Sequence, residues 1–383
     1  MRRGGQGAAR RIGLAALAAA ILFALPARAQ TELLPAYDDA PLAGPAKAKG
    51  AVIWNHGLSR LSESEANTPF YADALREAGW DVFKLTRKWA SDRVYDSTEA
   101  LIAEGRKLKA QGYRHVVSAG QSFGGWISYN AAGKADSPFE AIVATAPAAH
   151  GTLATNSNWR LNADNLYGFA RSVKPPVKVL TFFFNKDDYD PGERGVEVRR
   201  LLTARGVANV IVDYPPGFVG HGVGSTMAFA NLYGNCIAAF IEPGPLKAGF
   251  SCADHPARGA QFPLPKDLKI VAPPADAPPA LARMVGRWQG WYDSGRPLML
   301  VVREVGKDRV LGIYSFTEQN RGPKDKPSYS NRRGEFDAKT GVLRFAETST
   351  ILEYKLRPDG KLDANWQRQG GNAKLETVLT KVD

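Results

Sequence analysis

Residues 115–126 read HVVSAGQSFGGW, and one side chain in that stretch can do covalent chemistry. A β-branched run enters Gly120-Gln121-Ser122-Phe123-Gly124, and a helix-compatible segment follows. That is the strand, turn and helix setting of a G-x-S-x-G nucleophile elbow. A serine hydroxyl is a weak nucleophile until the backbone thrusts it toward a base, so Ser122 requires a proton acceptor. Glycines at 120 and 124 leave room for the sharp turn, where side chains would crowd strand and helix.

Five histidines could supply that acceptor. Around such an elbow the chain order is nucleophile, acid, histidine, which places His56 and His115 too early. His150 precedes every well-placed acid and is expected at the rim, while His255 lies where the chain is leaving the domain. His221 sits in Pro215-Pro216-Gly217-Phe218-Val219-Gly220-His221-Gly222, directly after a strand-like run, and is the expected base. The acid should come from the end of residues 177–184, a continuous apolar run that reads as a buried parallel strand. It ends in Asn185-Lys186-Asp187-Asp188-Tyr189-Asp190. A carboxylate there can fix the imidazole tautomer and stabilise the imidazolium. Loop length makes Asp188 the first choice and Asp187 the second. Asp190 is expected to cap a helix beginning near Pro191, and Asp213 ranks fourth. The N–H groups of Leu58, after the strand and His56-Gly57, and of Phe123 are the expected oxyanion donors. Losing one such donor costs about 3 to 4 kcal/mol in the transition state. His56 is read as scaffold.

His56-Gly57, the pentapeptide at 120–124, the acidic strand end and Gly220-His221-Gly222 occur in an order that resembles the α/β-hydrolase family over residues 45–245. The likeness is to small dienelactone-hydrolase-like serine esterases with little cap. The resemblance implies a Ser-His-Asp acyl hydrolase for an ester, thioester or amide, and a small-molecule ester is the expected substrate, with no cofactor and no metal. Dienelactone hydrolases themselves carry a cysteine nucleophile where this chain has Ser122. The same fold hosts peptidases and non-catalytic proteins, so the alternative is such a protein with a ligand-binding β module.

The elements that would position these residues are legible on their own. Apolar runs at 51–55, 80–85, 115–119, 141–146, 177–184 and 209–214 alternate with helical candidates at 68–78, 97–111, 126–133, 193–205 and 223–241. This predicts an α/β fold, a doubly wound and mostly parallel sheet, with ligands meeting the carboxyl ends of its strands. Residues 147–175, with Trp159, Leu166, Tyr167 and Phe169, form either a small helical cap or a helix covering the core.

Residues 1–29 read as an export signal: Arg2, Arg3, Arg10 and Arg11 precede an apolar stretch too short for a stable membrane span, and Ala27-Arg28-Ala29 offers a cleavage site. Export by the Sec route rather than the twin-arginine one is expected, to a periplasmic or secreted location. Removal of that segment takes five arginines and no acids, so the formal charge of +12 falls to +7. No nucleic-acid motif or dense basic stripe accompanies the charge. Walker loop, H-E-x-x-H, cysteine–histidine cluster and dinucleotide fingerprint are all missing from the sequence, which leaves phosphotransfer, metal hydrolysis and hydride transfer without residues. Cys236 and Cys252 are the only cysteines, and in an exported chain a disulfide between them is expected.

The first domain is thus expected over 30–255, followed by a proline-rich linker at 256–280. Residues 281–383 carry alternating runs at 298–305, 309–317, 341–346, 351–357 and 375–381 separated by turn signals, which predicts an antiparallel barrel or sandwich. Gly286-Arg287-Trp288-Gln289-Gly290-Trp291 opens it somewhat as lipocalin-like barrels open. An apolar or glycan ligand is one use of such a module, and Trp288, Tyr314, Phe336, Phe345 and Trp366 serve equally as plain core.

Overall fold

The structure, a computed structural model, describes residues 31–58, 67–306, 309–321 and 325–382. The expected leader at 1–29 lies outside the described residues. Strands β1 (Thr31–Pro35), β2 (Ala51–Asn55), β3 (Asp81–Arg87), β4 (Val116–Gln121), β5 (Ala141–Thr145), β6 (Lys178–Phe183) and β7 (Asn209–Asp213) form one sheet in the order β1-β3-β2-β4-β5-β6-β7. All neighbours from β3 through β7 are parallel, and β1 closes one edge antiparallel to β3. The continuous apolar runs have a simple cause: helices cover both faces, so β2, β5 and β6 are buried at every residue.

Successive side chains of a strand point to opposite faces, and β6 shows the two cores that result. Phe182 joins Tyr71 and Leu75 of helix α1 (Tyr71–Glu77) and Phe229 and Ile237 of α6 (Met227–Ile241). Phe183 instead joins Trp126 and Tyr129 of α3 (Phe123–Ala132), Leu166 of α4 (Leu161–Ser172) and Leu202 of α5 (Arg194–Ala204). Helix α2 (Val94–Ala110) extends the second layer through Leu101 and Ile102. Helix α4 therefore covers the core, because Leu166 and Ala170 are fully buried under it. Cys236 of α6 is disulfide-bonded to Cys252.

The proline-rich stretch after 255 does more than separate two bodies. Phe262, Leu264 and Leu268 pack on Met299, Val301 and Ile313, and Val271 donates its N–H to the Arg303 carbonyl at 2.7 Å. It is a strap along the outer wall of the second domain. That domain begins with α7 (Pro279–Met284) and continues as β8 (Gly286–Trp291), β9 (Pro297–Val305), β10 (Val310–Phe316), β11 (Ser328–Asp337), β12 (Val342–Ala346), β13 (Thr350–Leu356), β14 (Leu362–Arg368) and β15 (Lys374–Val382). Every pair is antiparallel, and β15 pairs back onto β8, so the sheet is a closed eight-stranded barrel with no free edge. Trp288, Tyr292, Leu300, Phe345 and Tyr354 are nearly inaccessible and make its interior a packed core. Among the described residues no helix is long and apolar enough to cross a membrane.

Candidate active site

Ser122 follows β4 and caps α3 with φ 54° and ψ −119°, a conformation that lifts its side chain out of the turn. Its N–H is held by the Thr145 carbonyl at 3.0 Å, and its own carbonyl receives the Trp126 N–H at 3.2 Å. Such a bend needs backbones closer than side chains permit. A Cβ on Gly124 would lie 2.1 Å from the Asn55 carbonyl oxygen, and one on Gly120 would lie 2.3 Å from the backbone of Gly124. Only glycine fits at either place.

Across the strand ends the three polar side chains form one chain of hydrogen bonds. Ser122 Oγ lies 2.7 Å from His221 Nε2, and His221 Nδ1 lies 2.9 Å from Asp187 Oδ1. A carboxylate only accepts, so Nδ1 carries the hydrogen and Nε2 keeps a lone pair for the serine hydroxyl. Tyr189 lies nearly flat on the imidazole with ring centroids 4.0 Å apart, and Gln121 donates its amide to the His221 carbonyl at 3.2 Å. These contacts fix the ring's plane and the backbone behind it.

The geometry reverses the expected order of the two acids. Asp187 is buried and points at His221, whereas Asp188 is exposed and only its carbonyl is engaged, by the Leu153 N–H at 3.4 Å. The reason is local: a turn closed by Asp190 N–H on the Asp187 carbonyl, 2.8 Å, directs residue 187 inward and 188 outward. The Tyr189 N–H adds a second bond to Asp187 Oδ1 at 2.9 Å. Asp190 does not cap a helix near Pro191. Its Oδ1 accepts from Gly192 N and from Arg194 Nε at 2.7 Å, and α5 starts only at Arg194. Asp213 lies against Gly195, where burial and Asp190 raise its carboxyl above the ordinary range, and it takes no part in the chain.

Arg194 is the residue that sequence reasoning missed. Fully buried, it pairs with Asp190, lies 3.6 Å from Asp187 Oδ2, and donates to the Pro147 carbonyl. One guanidinium thereby offsets two buried carboxylates whose desolvation would otherwise be costly. A signal for it exists: cations are disfavoured at helix N-termini, so an arginine opening α5 needs a local anion to explain it.

On the other side of Ser122 runs the backbone after β2. A Cβ on Gly57 would lie 3.2 Å from Ser122 Cβ, so the segment Gly57-Leu58 passes alongside the nucleophile. Leu58 is exposed there, while Phe123 is buried with its ring beneath the Arg87 guanidinium at 5.8 Å. His56 Nδ1 donates to the Gly57 carbonyl at 2.6 Å, and His56 Nε2 accepts the Arg87 N–H at 3.2 Å. Both ring nitrogens are thus used up by backbone. Burial, with Arg87 nearby, pushes the His56 pKa down to about 3 and keeps the ring neutral. The other histidines stand elsewhere: His115 pairs with Glu140, His150 meets Asn165 and the edge of Trp126, and His255 lies against Phe250.

No family model matches the sequence, and no curated protein matches it. Solved structures with a similar fold include a monoacylglycerol lipase of Paleococcus ferrophilus, 14% identical with a TM-score of 0.41 over 56% of this chain and 98% of that one. Brefeldin A esterase, a bacterial homologue of human hormone-sensitive lipase, is 16% identical with a TM-score of 0.42 over 57% and 78%. A truncated carbohydrate esterase from gut microbiota is 15% identical with a TM-score of 0.40 over 55% and 89%. None of the three is a dienelactone hydrolase, and at identities and scores this low the likeness says nothing of the reaction. The sheet itself, with a strained serine elbow between its strand β4 and helix α3, has the α/β-hydrolase architecture.

Proposed function

We propose that this chain is an exported serine hydrolase that cleaves carboxylic esters of small molecules through an acyl-enzyme. The single observation that supports the reading most is the unbroken hydrogen-bond chain Asp187–His221–Ser122 at the carboxyl ends of β6, β7 and β4. His221 Nε2 takes the Ser122 proton as Oγ bonds to the ester carbonyl carbon, and the carbonyl π pair moves onto oxygen. The Leu58 and Phe123 N–H groups receive that oxyanion. Its collapse breaks the bond to the leaving alkoxide, which takes the proton from Nε2 and departs as alcohol. Water then repeats the sequence on the acyl-enzyme: His221 removes its proton, a second tetrahedral species forms, and Ser122 leaves reprotonated with the acid released. Asp187 holds Nδ1–H throughout and offsets the imidazolium charge. Arg194, Tyr189 and Gln121 hold those groups in place.

Export rests on the leader-like residues 1–29 and is supported by the disulfide, since an oxidising compartment preserves such a bond. The test is covalent labelling. A fluorophosphonate probe should tag the wild-type chain and not Ser122→Ala, and His221→Ala should lower kcat on short p-nitrophenyl esters by about 10⁵-fold or more. An unlabelled wild-type chain defeats the reading. Faster cleavage of a matched amide than of the ester would reassign the substrate to the peptidase class.

A further inference from the structure

We propose that the barrel domain positions the catalytic base, with Trp291 as the principal positioning residue. The inference rests on the hydrolase reading above and concerns how His221 is held. The loop from Pro215 to Gly222 has little internal structure to rely on. Its first-domain supports are the bridge from Asn185 to Val219, the Gly220 N–H on the Asn185 carbonyl at 2.9 Å, and the Gln121 amide on the His221 carbonyl. Tyr189 and Asp187 hold the imidazole itself, and Phe218 packs on Phe229 and Tyr233 of α6. Further supports come from the barrel. Trp291, last residue of β8, donates its indole N–H to the Gly217 carbonyl at 2.9 Å and stacks on Phe218 with ring centroids 5.5 Å apart. Two residues on, the Asp293 carbonyl receives the Val219 N–H. Phe218 is fully buried in the first domain's core, so the stack ties that core to the barrel two residues from Gly220 and three from His221.

The far end of the same segment is held in the same way. A helix leaves its first N–H groups without partners inside the helix, and those of α6 need acceptors. Thr226 Oγ1 takes the Phe229 N–H, but Met227 donates to the Gln319 carbonyl at 3.1 Å and Ala228 to the Gly295 carbonyl at 3.2 Å. Both acceptors belong to barrel loops. Gly295, at the tip of the β8–β9 hairpin, sits so close to Thr226 that a Cβ there would lie 2.3 Å from its hydroxyl oxygen. The barrel therefore grips the histidine segment before and after His221. Ser122 and Asp187 stand on first-domain strands, so a loosened barrel would move the imidazole relative to both. A serine-to-imidazole hydrogen bond of 2.7 Å tolerates little such motion.

The experiment compares the full chain with Trp291→Ala and Trp291→Phe, using short p-nitrophenyl esters and the fluorophosphonate probe. Trp291→Ala removes both ring and donor, whereas Trp291→Phe keeps a ring to stack on Phe218 and loses only the bond to Gly217. Trp291→Ala should lower kcat and the labelling rate of Ser122 by about 10- to 100-fold with KM little changed, and Trp291→Phe should fall between it and wild type. The acidic limb of the kcat/KM profile should move in both, which a purely stabilising role of the tryptophan would not cause. Circular dichroism and melting confirm folding. Folded Trp291→Ala with wild-type kcat, labelling rate and acidic limb overturns the proposal. Should that variant not fold, Trp291→Phe with unchanged kcat and acidic limb overturns it equally. Loss of labelling in the wild-type chain is a different failure, which sinks the hydrolase reading and this inference with it.

Discussion

Ser122 stands on backbone that its own domain locks, whereas His221 stands on a loop that leans on a second domain. Around Ser122 the constraints are contacts no side chain could enter: Gly124 against Asn55, Gly120 against Gly124, and a bond to Thr145 on the next strand. Around His221 they are individual hydrogen bonds and two aromatic stacks, several of them from the barrel. The nucleophile's position follows from packing density. The base's position follows from docking. A fold assembled this way holds its nucleophile by close backbone packing within one domain but draws on a second domain to bring the base to it.

The sharpest way to test the base's side is at its acid. In the proposed mechanism Asp187→Asn leaves the loop's shape but removes the acceptor that selects the Nδ1–H tautomer, and kcat should fall about 10⁴-fold. Asp188→Asn, one residue away and exposed, should leave turnover near wild type. Steady-state kinetics on one ester for both variants decides it. Equal losses would break the assignment of Asp187.

Much of this is readable in the residues alone. The elbow announces itself because its requirements are local: a β-branched strand, two glycines and a helix start within twelve residues. Strands β2, β5 and β6 were legible because burial on both faces leaves nearly unbroken apolar runs. The choice between Asp187 and Asp188 was not, since it depends on which way a turn closed by Asp190 points the two carboxylates. Strand β11 was also hidden. Its positions opposite Tyr314, Gly312 and Val310 are Ser330, Arg332 and Gly334, so its inward face shows no apolar alternation. The strap at 256–280 reads as a spacer because its few apolar residues follow no period, and only the barrel wall beneath Phe262 and Leu264 gives them a purpose. The grip of Trp291 on Gly217 joins residues 74 apart in the chain, a distance at which no pattern speaks.

A matched pair of glycine substitutions sharpens the contrast between the two supports. Gly124→Ala must push the elbow away from β2, because its Cβ would lie 2.1 Å from Asn55 O, and a forced backbone shift of that kind costs about 3 kcal/mol or more. Gly220→Ala meets nothing within 4 Å, but its φ of +93° strains any other residue by about 1 to 2 kcal/mol. The first should cost stability and activity together. The second should leave a well-folded chain whose loss is mainly in kcat, as the loop relaxes and carries His221 off line. Chemical denaturation beside kinetics separates them, and equal destabilisation by the two variants would erase the distinction between packed elbow and docked loop.

The two histidines at the site offer the mildest test. His221 keeps part of its ring open to the cleft, while His56 is enclosed on the elbow's side with both nitrogens bound to backbone. Burial first, then Arg87, lowers the folded pKa of His56 from 6.5 to about 3. Above the unfolded value the ring is neutral in both states and its pH-dependent contribution is complete. As pH falls below that value the unfolded chain takes a proton that the folded chain refuses, so stability drops and continues to drop until the folded pKa is reached. Between pH 7 and pH 5 the loss should be about 2 kcal/mol, a window above most carboxylate titrations. His56→Asn has no proton to take and should show a flatter dependence of the denaturation midpoint on pH over the same interval. Parallel slopes for the two chains would mean that His56 is protonated as readily folded as unfolded, and the packed side of the site would then be more open than its geometry states.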